Sequence, residues 1–247
     1  MISITLPSLR PKTVSKRIKE FASEKDYEII VVSPFYVKDA VYIYQDPIGC
    51  VAAHALAYEH SKGDYIAFWA DDTAPTPGCL SSMVDFVRGK GLRIGSFRVK
   101  DRRGRELAQW SVNGKLYAGF GCASRETFEK VGYFDPIYRS YFADPDLSMK
   151  VWQSGGRVEV CPSAWVITEG ISDTVSVENN KRYFERDRKT FVSQWGEFKN
   201  EPIGKNVYPA FSIPVTLLNR FFVLYAKRVP LKVQRFVRKI KESCLTL

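Results

Sequence analysis

The stretch Lys62-Gly63-Asp64-Tyr65-Ile66-Ala67-Phe68-Trp69-Ala70-Asp71-Asp72 holds a helix stop, a buried strand and a pair of acids in immediate succession. Lys62-Gly63 closes a helix that opens at Gly49 and carries Val51, Ala55 and Tyr58 on one face. Tyr65 to Trp69 then reads as a strand. Upstream, Ile2 to Leu6, Glu28 to Val32 and Val41 to Tyr44 are further strands, and Val14, Ile18, Phe21 and Ala22 follow the helical period through about Glu24. Downstream, Thr76 suits an N-cap and Pro77 a first helical residue, with Leu80, Met83, Val84 and Val87 as the apolar stripe. Strands separated by helices predict an α/β fold whose sheet is mainly parallel and flanked by helices.

After Gly91 the pattern changes. Leu92 to Val99, Glu106 to Val112 and Lys115 to Tyr117 read as strands joined by the polar turns Asp101 to Arg105 and Asn113-Gly114, which predicts a smaller antiparallel portion. Arg125 to Val131 is a short helix, and Asp146 to Gln153 another, stopped by Gly155-Gly156. Arg157 to Val160 returns to strand, and Val177 to Trp195 reads as a charged helix. About residues 1–200 form the main domain, with halves near 1–90 and 91–200, and residues 201–247 are an extension.

The 247 residues carry 37 Lys and Arg against 27 Asp and Glu, a net charge of +10. Phe211 to Leu247 contributes eight cations and one acid, or +7, which leaves +3 for everything before it. That residue of charge is too small for a dedicated nucleic-acid domain, and no specific nucleic acid is expected as a partner. The five cysteines are odd in number and form no C-x-x-C pair, which argues against a disulfide framework or structural zinc. The N-terminal strand leaves no room for a signal peptide, and no uncharged run is long enough to span a bilayer, so a cytoplasmic chain is expected.

Sheets of this kind bind ligands at the carboxyl ends of their strands, which singles out three positions. Asp71-Asp72 follows one strand: such a pair either holds a hard cation and ligand hydroxyls or simply makes a turn. Asp144-Pro145-Asp146 follows the aromatic run Tyr138 to Phe142, with Asp144 placed as an N-cap and Pro145 as first helical residue. A carboxylate there can also face a cleft and accept a proton, though the helix end should keep its pKa low. Pro7-Ser8-Leu9-Arg10 offers backbone N–H groups, a hydroxyl and a guanidinium after the first strand, or a plain turn. Neither G-x-G-x-x-G nor G-x-x-x-x-G-K-[ST] occurs, which disfavours Rossmann dinucleotide binding and P-loop chemistry. His54 and His60 lie in no metal spacing.

In order and interval these pieces resemble the inverting family 2 glycosyltransferases of the GT-A fold. The matching segments are Leu6-Pro7-Ser8, Glu28-Ile29-Ile30-Val31-Val32, Lys62-Gly63-Asp64-Tyr65-Ile66, Ala70-Asp71-Asp72 and Ala143-Asp144-Pro145-Asp146-Leu147, supported by Gly121-Cys122-Ala123, Phe128 to Asp135 and Phe191 to Gly196. The resemblance covers about residues 1–200. It implies transfer of a sugar from a nucleotide-sugar donor to a hydroxyl of a glycan or lipid-linked acceptor, with inversion. Asp72 would bind a divalent metal, Mn²⁺ or Mg²⁺, and Asp144 would be the general base. Pro7, Ser8, Arg10, Ser33, His54 and Asp71 would meet the nucleotide, and Asp146, Gly121 and Cys122 would support or bind the acceptor.

Departures at five positions stand beside the match. Ser33 replaces a base-reading Asp, His54 replaces an Arg, Ala70 and Ala143 replace the first acids of their motifs, and Thr168 stands where many members have a metal-binding His, leaving Thr168 and Glu169 as substitutes. A catalytically silent nucleotide-sugar or glycan-binding module on the same fold is the competing expectation. In the extension, Val233, Phe236, Val237, Ile240 and Cys244 fall on one helical face and Lys232, Arg235, Lys239 and Glu242 on another. A basic amphipathic helix of this sort suits either docking on the domain or peripheral attachment to the anionic inner face of a membrane.

Overall fold

In the computed structural model, residues 1–170 and 173–203 are described. The expected C-terminal helical tail, with its apolar segment at Ile213 to Leu224, lies outside them. An eight-stranded sheet forms the centre, in the order β3-β2-β1-β4-β9-β6-β10-β5. Its strands are β1 (Ile2–Thr5), β2 (Tyr27–Ser33), β3 (Val41–Tyr44), β4 (Tyr65–Phe68), β5 (Thr73–Pro75), β6 (Arg93–Asp101), β9 (Gly121–Ser124) and β10 (Arg157–Thr168). β1, β2, β3 and β4 pair in parallel, as do β6 and β10, while β9 is antiparallel to both β4 and β6 and joins the two parallel groups. All six parallel strands therefore end on the same edge. A second sheet, β11-β7-β8, is built from β7 (Gln109–Val112), β8 (Lys115–Tyr117) and β11 (Asn200–Ile203). The expected mainly parallel α/β architecture with a smaller antiparallel portion is what the chain adopts.

Helices α1 (Pro11–Glu20), α2 (Cys50–Glu59), α3 (Cys79–Val87), α4 (Arg125–Val131), α5 (Ala143–Gln153) and α6 (Thr174–Trp195) cover the sheets. One core cluster gathers Ile4, Leu6, Phe21, Trp69, Met83 and Phe97, and another Ile66, Phe68, Ile94, Phe128, Tyr138, Leu147 and Phe191. Trp69 shows why the β4 region reads as fully apolar: its ring packs edge-on against Phe21 at 5.1 Å and Phe97 at 5.0 Å.

Several expectations are corrected. Thr76 does not cap α3; its hydroxyl donates to the Trp165 carbonyl at 2.8 Å, and the helix starts after Gly78, whose left-handed φ of 75° suits glycine. The carboxylate of the buried Glu24 takes the Gly78 and Leu80 N–H groups instead, at 2.7 and 3.3 Å. The strand expected from Glu106 begins at Gln109, because Glu106 ion-pairs with Arg98 at 2.6 Å and makes one isolated bridge to Lys100. β10 runs on to Thr168 through a register shift between Val160 and Trp165, where Pro162 interrupts the alternation. β5, β9 and β11 are too short, or too poor in β-branched residues, to announce themselves.

Candidate active site

The loops leaving β1, β2 and β4 enclose a cleft of about 280 Å³. Pro7, Ser8 and Arg10 come from the first, Ser33 and Pro34 from the second and Asp71 from the third; Gln45 to Cys50 supply the next wall, and Ser140, Tyr141, Asn179 and Tyr183 close the far side. Five of the sequence-selected nucleotide residues thus share one cavity. Asp71 is 4% exposed, and its carboxylate accepts from Ser8 Oγ at 2.6 Å and Arg10 Nη1 at 2.9 Å. Burial raises its pKa, against the lowering pull of the hydroxyl and guanidinium. Arg10 reaches on to Asp173 with both Nε (2.6 Å) and Nη2 (3.0 Å), so one side chain links the β1 loop, the β4 turn and the start of α6. The wholly buried Arg17 holds the Asp71 carbonyl through Nε at 3.1 Å.

His54 is corrected: it is absent from the cleft wall. Its Nδ1 meets Thr5 Oγ1 at 2.8 Å, its ring stacks edge-on against Phe134 at 5.1 Å, and burial pushes its pKa down to about 3, so it is a neutral packing residue.

Asp144 is corrected as a helix cap. α5 begins at Ala143, and Phe142 occupies the capping position with a left-handed φ of 66°, so Asp144 lies inside the first turn. A Cβ on Gly119 would lie 3.7 Å from Asp144 Oδ2, and Cys50 and Tyr117 feel its charge. Burial pushes the Asp144 pKa up to about 7, with only its own backbone N–H opposing. Desolvation thus overrides the helix end, contrary to the low value expected from the sequence.

Asp146 is held within the interior. It is fully buried, accepts from Trp195 Nε1 at 2.8 Å and Tyr138 Oη at 3.3 Å, and pairs with Lys150 at 2.8 Å, which ties α5 to α6. Gly121 and Cys122 are interior β9 residues: a Cβ at Gly121 would meet Phe68 at 2.6 Å, and Cys122 is fully buried.

The sequence reading missed Asp187. Buried on α6, its Oδ2 accepts the N–H groups of Arg139, Ser140 and Tyr141 at 3.0, 2.9 and 3.0 Å, fixing the loop that carries two cleft residues. The same loop presses the Arg139 carbonyl to within 2.6 Å of where a Cβ on Gly49 would stand, and Gly49 has φ 96°, so only glycine fits there. A lone Asp in a charged helical run gives no signal of such a role.

For a metal, the donor set is sparse. No cluster of three His, Cys, Asp or Glu suited to a cation occurs among the described residues. Glu169, the proposed substitute, is taken by Lys16 at 2.5 Å, Arg102 at 2.9 Å and Arg17 at 3.6 Å, and Thr168 Oγ1 accepts from the Gly170 N–H at 3.2 Å. Asp72 accepts from Thr73 Oγ1 at 3.2 Å, and its carbonyl accepts the Glu169 N–H at 2.7 Å. These residues do not form a closed protein cage; they fit an ion held by one carboxylate together with ligand phosphates and water.

No family model and no curated protein matches the sequence. Solved glycosyltransferase structures share the fold. GalNAc-T7 with UDP, GalNAc and Mn²⁺ aligns at TM-score 0.58 and 13% identity, over 78% of this chain and 49% of that one. The mannosyltransferase PcManGT from Pyrobaculum calidifontis, in complex with GDP-Man and Mn²⁺, aligns at TM-score 0.58 and 11% identity, over 99% and 80%. TarS of S. aureus aligns at TM-score 0.58 and 12% identity, over 94% and 46%. The chain therefore spans about half the length of two of these proteins. The likeness defines a GT-A-like glycosyltransferase fold. Among the described residues no helix is long and apolar enough to cross a membrane.

Proposed function

We propose that the chain is a glycosyltransferase that moves a sugar from a nucleotide-sugar donor to a hydroxyl of a glycan or lipid-linked acceptor with inversion. The observation that carries this reading is the cleft at the ends of β1, β2 and β4 that gathers Ser8, Arg10, Ser33 and Asp71, with Asp144, whose pKa burial pushes up to about 7, near enough for Cys50 of the cleft wall to feel its charge. The nucleoside would sit among Pro7, Ser8, Ser33 and Asp71, with Arg10 holding Asp71 in place. The acceptor hydroxyl would attack the anomeric carbon while its proton passes to the Asp144 carboxylate. The bond from that carbon to the diphosphate breaks, and the leaving nucleoside diphosphate keeps the electron pair. A base with a pKa near the working pH suits this transfer. Asp72 would hold a Mn²⁺ or Mg²⁺ jointly with the donor diphosphate, and that ion, when bound, supplies charge neutralisation for the leaving group.

Thermal-shift titration of UDP, GDP, CDP and dTDP, each with and without Mn²⁺, tests binding, and release of nucleoside diphosphate from the cognate nucleotide sugar tests turnover. Stabilisation by at least one diphosphate and measurable release are expected. Failure of every diphosphate to bind would overturn the reading; binding without release across a donor and acceptor panel would reduce it to the silent binding module.

A further inference from the structure

The nine residues Arg98-Val99-Lys100-Asp101-Arg102-Arg103-Gly104-Arg105-Glu106 carry five cations and two acids, a net +3. Residues 1–210 together also sum to +3, so outside this segment their charges cancel. The charge is held in a built structure. Asp101 Oδ1 accepts the Arg103 and Arg105 N–H groups at 2.9 Å each and Oδ2 takes Arg105 Nε at 2.7 Å, which fixes the hairpin turn. Arg98 and Lys100, two apart on one face of β6, both stand 4.0 Å from the Trp165 ring. Arg102, Arg103 and Arg105 are exposed at the tip.

The position of this hairpin decides what it meets. It leaves the carboxyl end of β6, on the same sheet edge as Asp71 and Asp72, and Arg102 Nη2 reaches Glu169, whose N–H binds the Asp72 carbonyl. The cleft, however, lies at β1, β2 and β4, and in the sheet order β9 and β6 come next after β4, ahead of the β10–β5 pair that Asp72 leads into. With a nucleoside diphosphate occupying that cleft, the molecule that approaches over β6 is the acceptor. We infer that the Arg98–Arg105 hairpin is an acceptor subsite for an anionic glycan, one that carries phosphate or carboxylate groups along its chain. This rests on the glycosyltransferase reading above. Guanidinium and ammonium groups match such anions directly, and stacking on Trp165 fixes where Lys100 and Arg98 stand, Arg98 also pairing with Glu106 at 2.6 Å.

The test titrates four fluorescent probes into the full chain at near-physiological salt: hexagalacturonate, a glycerol-phosphate hexamer, neutral maltohexaose and a single-stranded DNA hexamer. At least one anionic glycan should bind while maltohexaose does not. The double variant Lys100→Gln, Arg103→Gln should weaken it roughly tenfold. The control Lys181→Gln, Lys189→Gln, which removes the same charge from the exposed face of α6, should leave it within about twofold, as screening attenuates remote charges. Thermal midpoints establish that both variants fold. Equal loss in the two variants, no loss in the first, or DNA binding as tight as the anionic glycan would each overturn the inference. Nucleoside diphosphate stabilisation of the wild-type chain, measured in parallel, is the separate readout for the donor site, so failure of the subsite and failure of the enzyme reading give different results.

Discussion

Burial raises the pKa of both Asp71, in the turn after β4, and Asp144, in the first turn of α5, but only Asp71 is also given partners that pull it back down. Asp71 is given a hydroxyl and a guanidinium, and Arg10 is itself braced by Asp173. Asp144 is given burial and no cation, and its pKa rises to about 7. An ion pair fixes a group in one charge state and position, whereas desolvation alone leaves it able to change protonation near neutrality. On the function proposed above, Asp71 would be the acid that holds and Asp144 the one that exchanges a proton.

The largest test of that contrast is kinetic. Asp144→Asn keeps the shape and removes the proton acceptor, so nucleoside diphosphate release should fall on the order of 10³-fold with the fold intact, read by steady-state turnover. Wild-type turnover in this variant would break the comparison at its strongest point. Arg10→Gln acts on the other acid: it strands Asp71 with Ser8 alone, and chemical denaturation should report a loss of about 2 kcal/mol, together with weaker nucleoside diphosphate binding. The smallest effect is pH-dependent. Because the folded chain raises the Asp144 pKa, it favours the protonated acid, and that contribution to stability is fully present below pH 3.8 and lost as pH rises through about 7. Thermal melts should therefore show Asp144→Asn gaining on wild type as pH climbs from 4 to 8, and turnover of the wild type should rise through the same upper range.

Much of the fold is legible in the sequence because buried parallel strands must be apolar throughout and helices must show a stripe. Tyr65 to Phe68 and the Leu80-Met83-Val84-Val87 face obey this, and Ile2 and Ile4 do so with the buried Ser3 and Thr5 between them. β9 does not: Gly121-Cys122-Ala123-Ser124 has small residues because Phe68 and Ile94 crowd it, and crowding by distant side chains leaves no local pattern. The candidate site divides in the same way. Acids at strand ends could be selected from order alone, so Asp71, Asp72 and Asp144 stand out. Asp146 has the same local look as Asp144, and only the tertiary partners Trp195, Tyr138 and Lys150 separate a fully buried tie from the half-buried carboxylate two residues before it. Asp187 could not be found at all, since its three N–H donors lie over forty residues away.

The carboxylate that Glu24 lends to α3 bears on the order in which the chain assembles. A helix of nine residues with no cap of its own sequence pays the full cost of nucleation and frays when isolated. Its first N–H groups find their acceptor only after the segment between α1 and β2 has come to rest beside Gly78. The helix that follows the Asp71-Asp72 turn is accordingly completed by the N-terminal βαβ unit.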